Sequence, residues 1–204
     1  MASKHTELSS VLRHTSKREA LKLVLFDLDG TLSTGGMFTE SLDRALEETL
    51  NQGITRDSLE ERVRTGSTAR NSLKKIVEAA GVSKERQEEV VDNIFASATR
   101  YFELALSKSP LVALEGVAEL LEQLNKREDT MIGVVTNNIS DVMKLKLSNS
   151  GLLSHFSIQN FMTSAENGGN KSELLEFAIN NAEKELKTRF DRKDIFYLWT
   201  FKTP

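Results

Sequence analysis

The sequence predicts an α/β fold, in which a parallel β-sheet carries a block of helices inserted after its first strand. Two short apolar runs, 22–27 and 131–136, are continuous rather than alternating. Continuous apolarity is typical of strands that are buried on both faces of a parallel sheet. From the second run onward strands and helices alternate, as βαβ units require. The segment between the two runs, 39–106, has a helical pattern throughout.

The inserted segment predicts three helices. Leu42, Leu46 and Leu50 recur at a helical spacing and predict the first one. A second apolar face, which includes Leu73 and Val77, is closed by a glycine, and a third helix follows it. The apolar stripe of that third helix consists of Val90, Val91, Ile94, Phe95, Ala98 and Phe102.

The rest of the chain predicts a return to sheet and helix. A helix that includes Val117 and Leu121 precedes the strand at 131–136. The later elements are a helix, a weaker strand, a helix and a final apolar run, and they cover 140–148, 156–162, 172–187 and 195–201.

Composition excludes several kinds of function. The 204 residues suit one domain with a smaller insertion, and the absence of cysteine excludes disulfides, thiolate zinc sites and cysteine nucleophiles. The net charge of −3 is unfavourable for sequence-independent binding of nucleic acid. No apolar run approaches the roughly 18 residues of a membrane span. We therefore expect no nucleic-acid or membrane partner and a cytoplasmic location, with organelle targeting by the N-terminal segment left open.

Two carboxylates follow the first apolar run. Asp27 and Asp29 precede Gly30, which lets the backbone turn closely around a ligand. Open α/β sheets bind ligands at the carboxyl ends of their strands, so both side chains are predicted to face such a crevice. The alternative is a polar turn that only caps the strand.

The segment 26–32, with its Asp-x-Asp-Gly-Thr pattern, resembles the first motif of the haloacid dehalogenase-like (HAD) superfamily, in its phosphatase branch. The resemblance implies a Rossmann-like core. It also implies that Asp27 attacks phosphorus and forms an aspartyl-phosphate, while Asp29 protonates the leaving group and then activates water. Carboxylates suit both steps.

Two later positions match further motifs of this family. Thr136 and Asn137 end the second predicted strand, as the second motif does, and Lys171 matches the third motif between a glycine-containing loop and a helix. The resemblance implies that Thr136, Asn137 and nearby backbone N–H groups hold phosphoryl oxygens. Lys171 would offset the repulsion between the carboxylates and an incoming phosphate. A solvated loop lysine is the alternative.

The inserted helices match the helical cap of phosphoglycolate phosphatase and β-phosphoglucomutase relatives. The resemblance divides the chain into an N-terminal lead-in at 1–20, an α/β core at 21–36 and 111–204, and a cap at 37–110. Such a cap closes over the site, excludes water and selects the substrate. Arg64 lies in a stretch that resembles the substrate-facing loop of the cap, where it could bind a substrate anion or be a surface arginine.

The fourth motif of the family is missing. Trp199 and Thr200 stand where Gly-Asp is expected, and no acidic residue follows them. In the family those acids hold Mg²⁺, a cation that prefers octahedral oxygen coordination. Asp27 and Asp29 remain as metal ligands, so we expect a weakened Mg²⁺ site. Family members also continue with a further helix, so a core truncated at this end would expose the run 195–201 to a partner or to self-association.

The sequence therefore predicts a phosphatase that acts on a small phosphorylated metabolite. Two alternatives stay open. One is a catalytically inactive relative that binds phosphate or regulates, which the missing motif favours, and the other is a phosphomutase of the same fold. The particular phosphoester is not predicted, because the loops of the cap select it and their side chains are not diagnostic.

Overall fold

The structure is a computed structural model that describes residues 20–34, 38–51, 67–156 and 161–200. Four parallel strands form one sheet in the order β3-β2-β1-β4. These strands are β1 (Lys22–Phe26), β2 (Thr130–Val135), β3 (Met162–Thr163) and β4 (Ile195–Leu198). The predicted α/β fold with a parallel, Rossmann-like sheet and inserted helices is confirmed.

Among the described residues, the insertion predicted after β1 contains three α-helices, namely α1 (Phe38–Leu50), α2 (Ala69–Ala79) and α3 (Lys84–Lys108). Three more accompany the later strands, namely α4 (Val117–Asn125), α5 (Ser140–Asn149) and α6 (Lys171–Leu186). Short 3₁₀ helices lie at Leu153–His155, Ala165–Asn167 and Arg192–Asp194. None of the helices in the described ranges is long and apolar enough to cross a bilayer.

The third strand is shorter than the sequence predicts. Within the predicted run 156–162 the strand takes in Met162 alone and continues to Thr163, and residues 157–160 lie outside the described part of the chain. Phe156 follows a 3₁₀ turn, and its ring is buried with Met143 and Leu147 of α5. An apolar residue that packs against a helix in this way produces the same sequence pattern as a strand residue.

Both faces of the sheet are covered, which explains the continuous apolarity of β1. Val24 and Phe26 pack on one face with residues of α4 and α5. Leu23 and Leu25 pack on the other face with residues of α6. Since successive side chains of a strand point to opposite faces, the covered positions 23–26 are all apolar.

The inserted helices have a core of their own, and it reaches the carboxyl end of the sheet. Buried residues of α1, α2 and α3 form one apolar cluster. The same cluster includes Ile139 and Val142, which follow β2, and Ala165, which follows β3. The inserted helices therefore pack against the loops at the strand ends where the sequence predicts a ligand site.

Candidate active site

The loop after β1 is a tight turn around one backbone carbonyl. The carbonyl of Leu28 accepts hydrogen bonds from the N–H groups of Leu32 (3.0 Å), Thr31 (3.3 Å) and Ser33 (3.3 Å). The side chains of Leu28 and Leu32 are buried and fix the turn to the core. Gly30 has a φ of 76°, a conformation that favours glycine. This turn holds Asp27 and Asp29 at the carboxyl end of the strand.

Asp27 is bound to the third-motif lysine. Its Oδ1 accepts a hydrogen bond from Lys171 Nζ at 3.0 Å, and Lys171 also donates to the carbonyl of Val135 at 3.1 Å. Lys171 is the first residue of α6, and Asn170 caps that helix by accepting from the N–H of Glu173. The cap fixes the start of α6, so the ammonium lies between the ends of β1 and β2.

Asp29 is held by a lysine and an asparagine. Its Oδ1 accepts from Lys146 Nζ at 2.6 Å, and its Oδ2 accepts from Asn138 Nδ2 at 2.7 Å. Asn138 Nδ2 also donates to Thr136 Oγ1 at 2.9 Å, and the backbone N–H of Asn138 donates to the same oxygen at 3.2 Å. Thr136 is 1% exposed, so its hydroxyl is held by a buried network.

Four of the predicted site residues meet at this end of the sheet, namely Asp27, Asp29, Thr136 and Lys171. Asn137 lies in the same loop and directs its backbone carbonyl to the inserted helices, where it accepts from the N–H of Ala69 at 2.9 Å. Arg64 lies outside the described residues, so its role in substrate binding stays a prediction.

Sequence reasoning missed Lys146 and Asn138. Lys146 is 2% exposed and lies on the buried face of α5, beside Val142, Met143 and Leu147. The available signal was a lysine at a helical spacing from apolar residues, because a buried ammonium requires an anionic partner. Asn138 carried a weaker signal, since the sequence alone does not decide which of two adjacent asparagines turns inward.

The inserted helices contact the site through backbone and side chain. The N–H of Thr68 donates to the carbonyl of Gly169 at 3.1 Å, next to the loop that leads into Lys171. Phe102 of α3 is fully buried, and its ring centroid lies 5.7 Å from Lys146 Nζ. The insertion thus covers the lysine that binds Asp29.

Tyr197 of β4 lies close to Lys171, the lysine that binds Asp27. Its hydroxyl is buried, and the ring centroid lies 5.7 Å from Lys171 Nζ. Burial first, and then the negative charge of Asp27, raise the pKa of this hydroxyl above its ordinary value. The phenol therefore stays protonated and adds no charge to the site.

The acids near this site do not fit a magnesium centre. Asp27 and Asp29 each have an oxygen bound to a lysine. Glu166 accepts instead from the N–H of Ser140, at 3.0 and 3.2 Å. Within the described ranges no group of three or more His, Cys, Asp or Glu residues could hold a metal ion. Mg²⁺ prefers six oxygen ligands, and the pairing of both aspartates with lysines leaves few carboxylate oxygens for it.

Thr200, at the position where an acid is expected, bonds to the turn after β1. Its Oγ1 donates to the carbonyl of Gly30 at 2.8 Å, and its N–H donates to Thr31 Oγ1 at 3.1 Å. The end of β4 therefore supports the turn that carries the two aspartates. At this position it supplies a hydroxyl group and no carboxylate.

Comparison with known proteins identifies the family. A model of the haloacid dehalogenase-like hydrolases matches residues 24–189, far more than half of the chain. The chain belongs to this family. Enzymes of the family generally use Mg²⁺, and membership supports phosphoester hydrolysis as the general class of activity. Among curated proteins, none matches the chain significantly.

Several solved structures share the fold at low sequence identity. CbbY from Rhodobacter sphaeroides, in complex with phosphate, has a TM-score of 0.60 at 15% identity, over 87% of this chain and 76% of that one. A candidate phosphoglycolate phosphatase from Lactobacillus plantarum has a TM-score of 0.57 at 13% identity, over 90% and 79%. A haloacid dehalogenase-like hydrolase from Streptococcus pneumoniae has a TM-score of 0.56 at 14% identity, over 89% and 77%.

Proposed function

We propose that this protein is a phosphatase that hydrolyses a small phosphorylated metabolite through an aspartyl-phosphate intermediate on Asp27. The observation that carries the proposal is the placement of Asp27 at the carboxyl end of β1, with its carboxylate on Lys171 and with Thr136 and Asp29 at the same end of the sheet. A nucleophile, a cation and a second carboxyl are thus available on neighbouring elements.

The proposed reaction has two steps. In the first step an Asp27 oxygen attacks phosphorus, the bond from phosphorus to the ester oxygen breaks, and Asp29 gives its proton to the leaving alcohol. In the second step Asp29 takes a proton from a water molecule, which attacks the phosphorus of the aspartyl-phosphate and releases inorganic phosphate and the Asp27 carboxylate. Thr136, Asn137 and Lys171 hold the phosphoryl oxygens in both steps.

The cofactor and the substrate belong to the proposal as well. Mg²⁺ at this site would have Asp27 and Asp29 as its carboxylate ligands, and we expect at most weak binding, because each of them already has an oxygen paired with a lysine. The domain division at 37–110 assigns the choice of substrate to the inserted cap, with Arg64 as the proposed anion-binding residue. The phosphate bound by CbbY from Rhodobacter sphaeroides supports a phosphate ligand for this fold.

One observation favours a second candidate function, a phosphate-binding protein without turnover. Both oxygens of Asp29 accept hydrogen bonds, one of them from the Lys146 ammonium. A carboxyl oxygen that gives a proton to a leaving group must donate, whereas both oxygens of Asp29 accept here. Turnover therefore requires that the pair between Lys146 and Asp29 opens, whereas binding does not.

The deciding experiment is hydrolysis of p-nitrophenyl phosphate by the wild type and by Asp27→Asn. We expect the wild type to turn over and the variant to lose at least about a hundredfold in kcat/KM, because the amide is not a nucleophile. Asp191→Asn is the matched control, since its carboxylate is 76% exposed before β4 and makes only a 3.7 Å ion pair with Lys193.

Two outcomes contradict the phosphatase. Unchanged turnover in Asp27→Asn would remove this residue as the nucleophile. A wild type without turnover that nevertheless binds inorganic phosphate would establish the second candidate function. Circular dichroism of each variant shows that a loss of turnover is not a loss of fold.

A further inference from the structure

The most unusual group in the site is the ammonium of Lys146. Its side chain is 3% exposed, and the partner that holds it is Asp29, 2.6 Å away. Lys146 lies on the buried face of α5, and the ring centroid of Phe102 of α3 is 5.7 Å from the ammonium. A charged group pays a large desolvation cost when it is buried in this way, and that cost is offset only by close pairing.

Lys146 changes the charge balance at the strand ends. Asp27 is paired with Lys171, and Asp29 is paired with Lys146, so the four charges cancel within the protein. In a site with one lysine, a second cation is needed before a phosphate dianion can approach two carboxylates. Here that second positive charge is covalently part of the chain.

We propose that Lys146 takes the place of a divalent cation, so that this pocket binds a phosphate group without metal. The ammonium lies 5.7 Å from the ring centroid of Phe102 on a side chain that is 3% exposed, and a divalent cation on Asp29 would lie against this positive charge. The inference rests on the proposed function only for its ligand, a phosphate group. A site that holds no divalent cation needs no metal-binding acid after β4, which is consistent with the hydroxyl of Thr200 at that position.

The first test is binding of inorganic phosphate to the wild type by calorimetry, in EDTA and in excess Mg²⁺. We expect dissociation constants that agree within about twofold. Lys146→Gln should bind phosphate at least tenfold more weakly in EDTA and should regain affinity in Mg²⁺. Phosphate binding by the wild type that requires Mg²⁺, or that is absent under both conditions, would overturn the inference.

The second test uses Mn²⁺ alone, followed by electron paramagnetic resonance. We expect Lys146→Gln to bind Mn²⁺ at least tenfold more tightly than the wild type, because removal of the ammonium frees an oxygen of Asp29. A purely structural role for Lys146 would lower the affinity or leave it unchanged, and either result contradicts the proposal. Lys146→Met is a second variant with a similar volume, for the case that the glutamine is not tolerated in the core.

Lys144→Gln is the matched control, since Lys144 lies exposed on the same helix. It should change neither the phosphate nor the Mn²⁺ affinity. If both Lys146 variants fail to fold, the phosphate affinities of the wild type in EDTA and in Mg²⁺ still show whether phosphate binding requires a metal. All these measurements record binding, so they distinguish failure of this inference from failure of the proposed phosphatase, which is tested by turnover.

Discussion

The two strands that pair with β1, β2 and β4, differ in burial and in what they contribute to the site. All six residues of β2 are buried, whereas the four residues of β4 alternate between half-buried and exposed. β2 leads into Thr136, whose hydroxyl belongs to the network that holds Asp29. β4 leads into Thr200, whose hydroxyl bonds to the turn at Gly30 and Thr31. We therefore expect the proposed chemistry to depend on the β2 side, while β4 supports the turn.

The largest effect on stability is expected from Gly133→Ala in β2. A Cβ atom at this position would lie 2.6 Å from the carbonyl oxygen of Phe161 and 3.1 Å from Leu25 Cδ2, so the backbone must shift. Overpacking of this kind costs about 3 kcal/mol of unfolding free energy. Urea unfolding measures it, and Phe196→Ala in β4 is the comparison, with a loss below about 1 kcal/mol because its side chain is 45% exposed. Equal losses would refute the contrast between the two strands.

The threonines after the two strands form a matched pair for activity. Thr136→Val removes a buried hydroxyl from the network of Asn138 and Asp29, and we expect kcat/KM for p-nitrophenyl phosphate to fall about a hundredfold. Thr200→Val removes the hydrogen bond to the Gly30 carbonyl, and we expect a loss of about 1 kcal/mol in stability with activity within about twofold. The phosphatase assay and urea unfolding separate the two effects. A larger loss of activity in Thr200→Val would show that β4 takes part in the chemistry.

The difference between β2 and β4 also shows which parts of the site could be predicted from the sequence. Asp27, Thr136 and Lys171 follow from one rule, because parallel strands present their following residues at the same edge of the sheet. The continuous apolarity of 22–27 and 131–136 predicted buried strands, and both faces of the sheet are indeed covered. The run at 195–198 is as apolar, yet it is only half covered, because burial depends on what packs against the strand.

The pairing of Lys146 could not be predicted in the same way. Its partner Asp29 is 117 residues away in sequence. A helical pattern shows which face of α5 is buried, but only the packing of α5 on the sheet decides which strand end its lysine meets. The role of Asn138 could not be predicted either, because it depends on the backbone turn after β2, which brings the Asn138 amide groups back to Thr136 Oγ1.

At the amino ends of β1 and β2 we expect a smaller effect on the free energy of unfolding, and this effect depends on pH. Asp129, before β2, binds Arg127 at 2.7 Å and Lys22 of β1 at 2.9 Å, and its side chain is 13% exposed. Arg127 and then Lys22 hold the pKa of this carboxyl below its ordinary value of 3.8. Asp129→Asn should therefore cost about 1 kcal/mol at neutral pH.

The sign of the pH dependence follows from the lowered pKa. The unfolded chain binds the proton more readily than the folded chain, so the ion pairs contribute fully above pH 3.8 and lose their contribution as the pH falls below it. The difference between the wild type and Asp129→Asn should be constant from pH 7 to pH 5 and should shrink at pH 3. Asp191→Asn, before β4, should show no difference at any of these pH values, because its pair with Lys193 is exposed.

The smallest change in stability is expected at the outer edge of β4. Phe196 and Leu198 lie exposed on the edge strand, and such edges tend to pair with other chains. Phe196→Lys should leave the unfolding free energy within about 0.5 kcal/mol and should reduce concentration-dependent association, measured by sedimentation velocity. Phe177→Lys, exposed on α6 away from this edge, is the control. If Phe196→Lys instead destabilises the protein as strongly as Gly133→Ala, this face of β4 is buried in solution, and the two neighbours of β1 are alike after all.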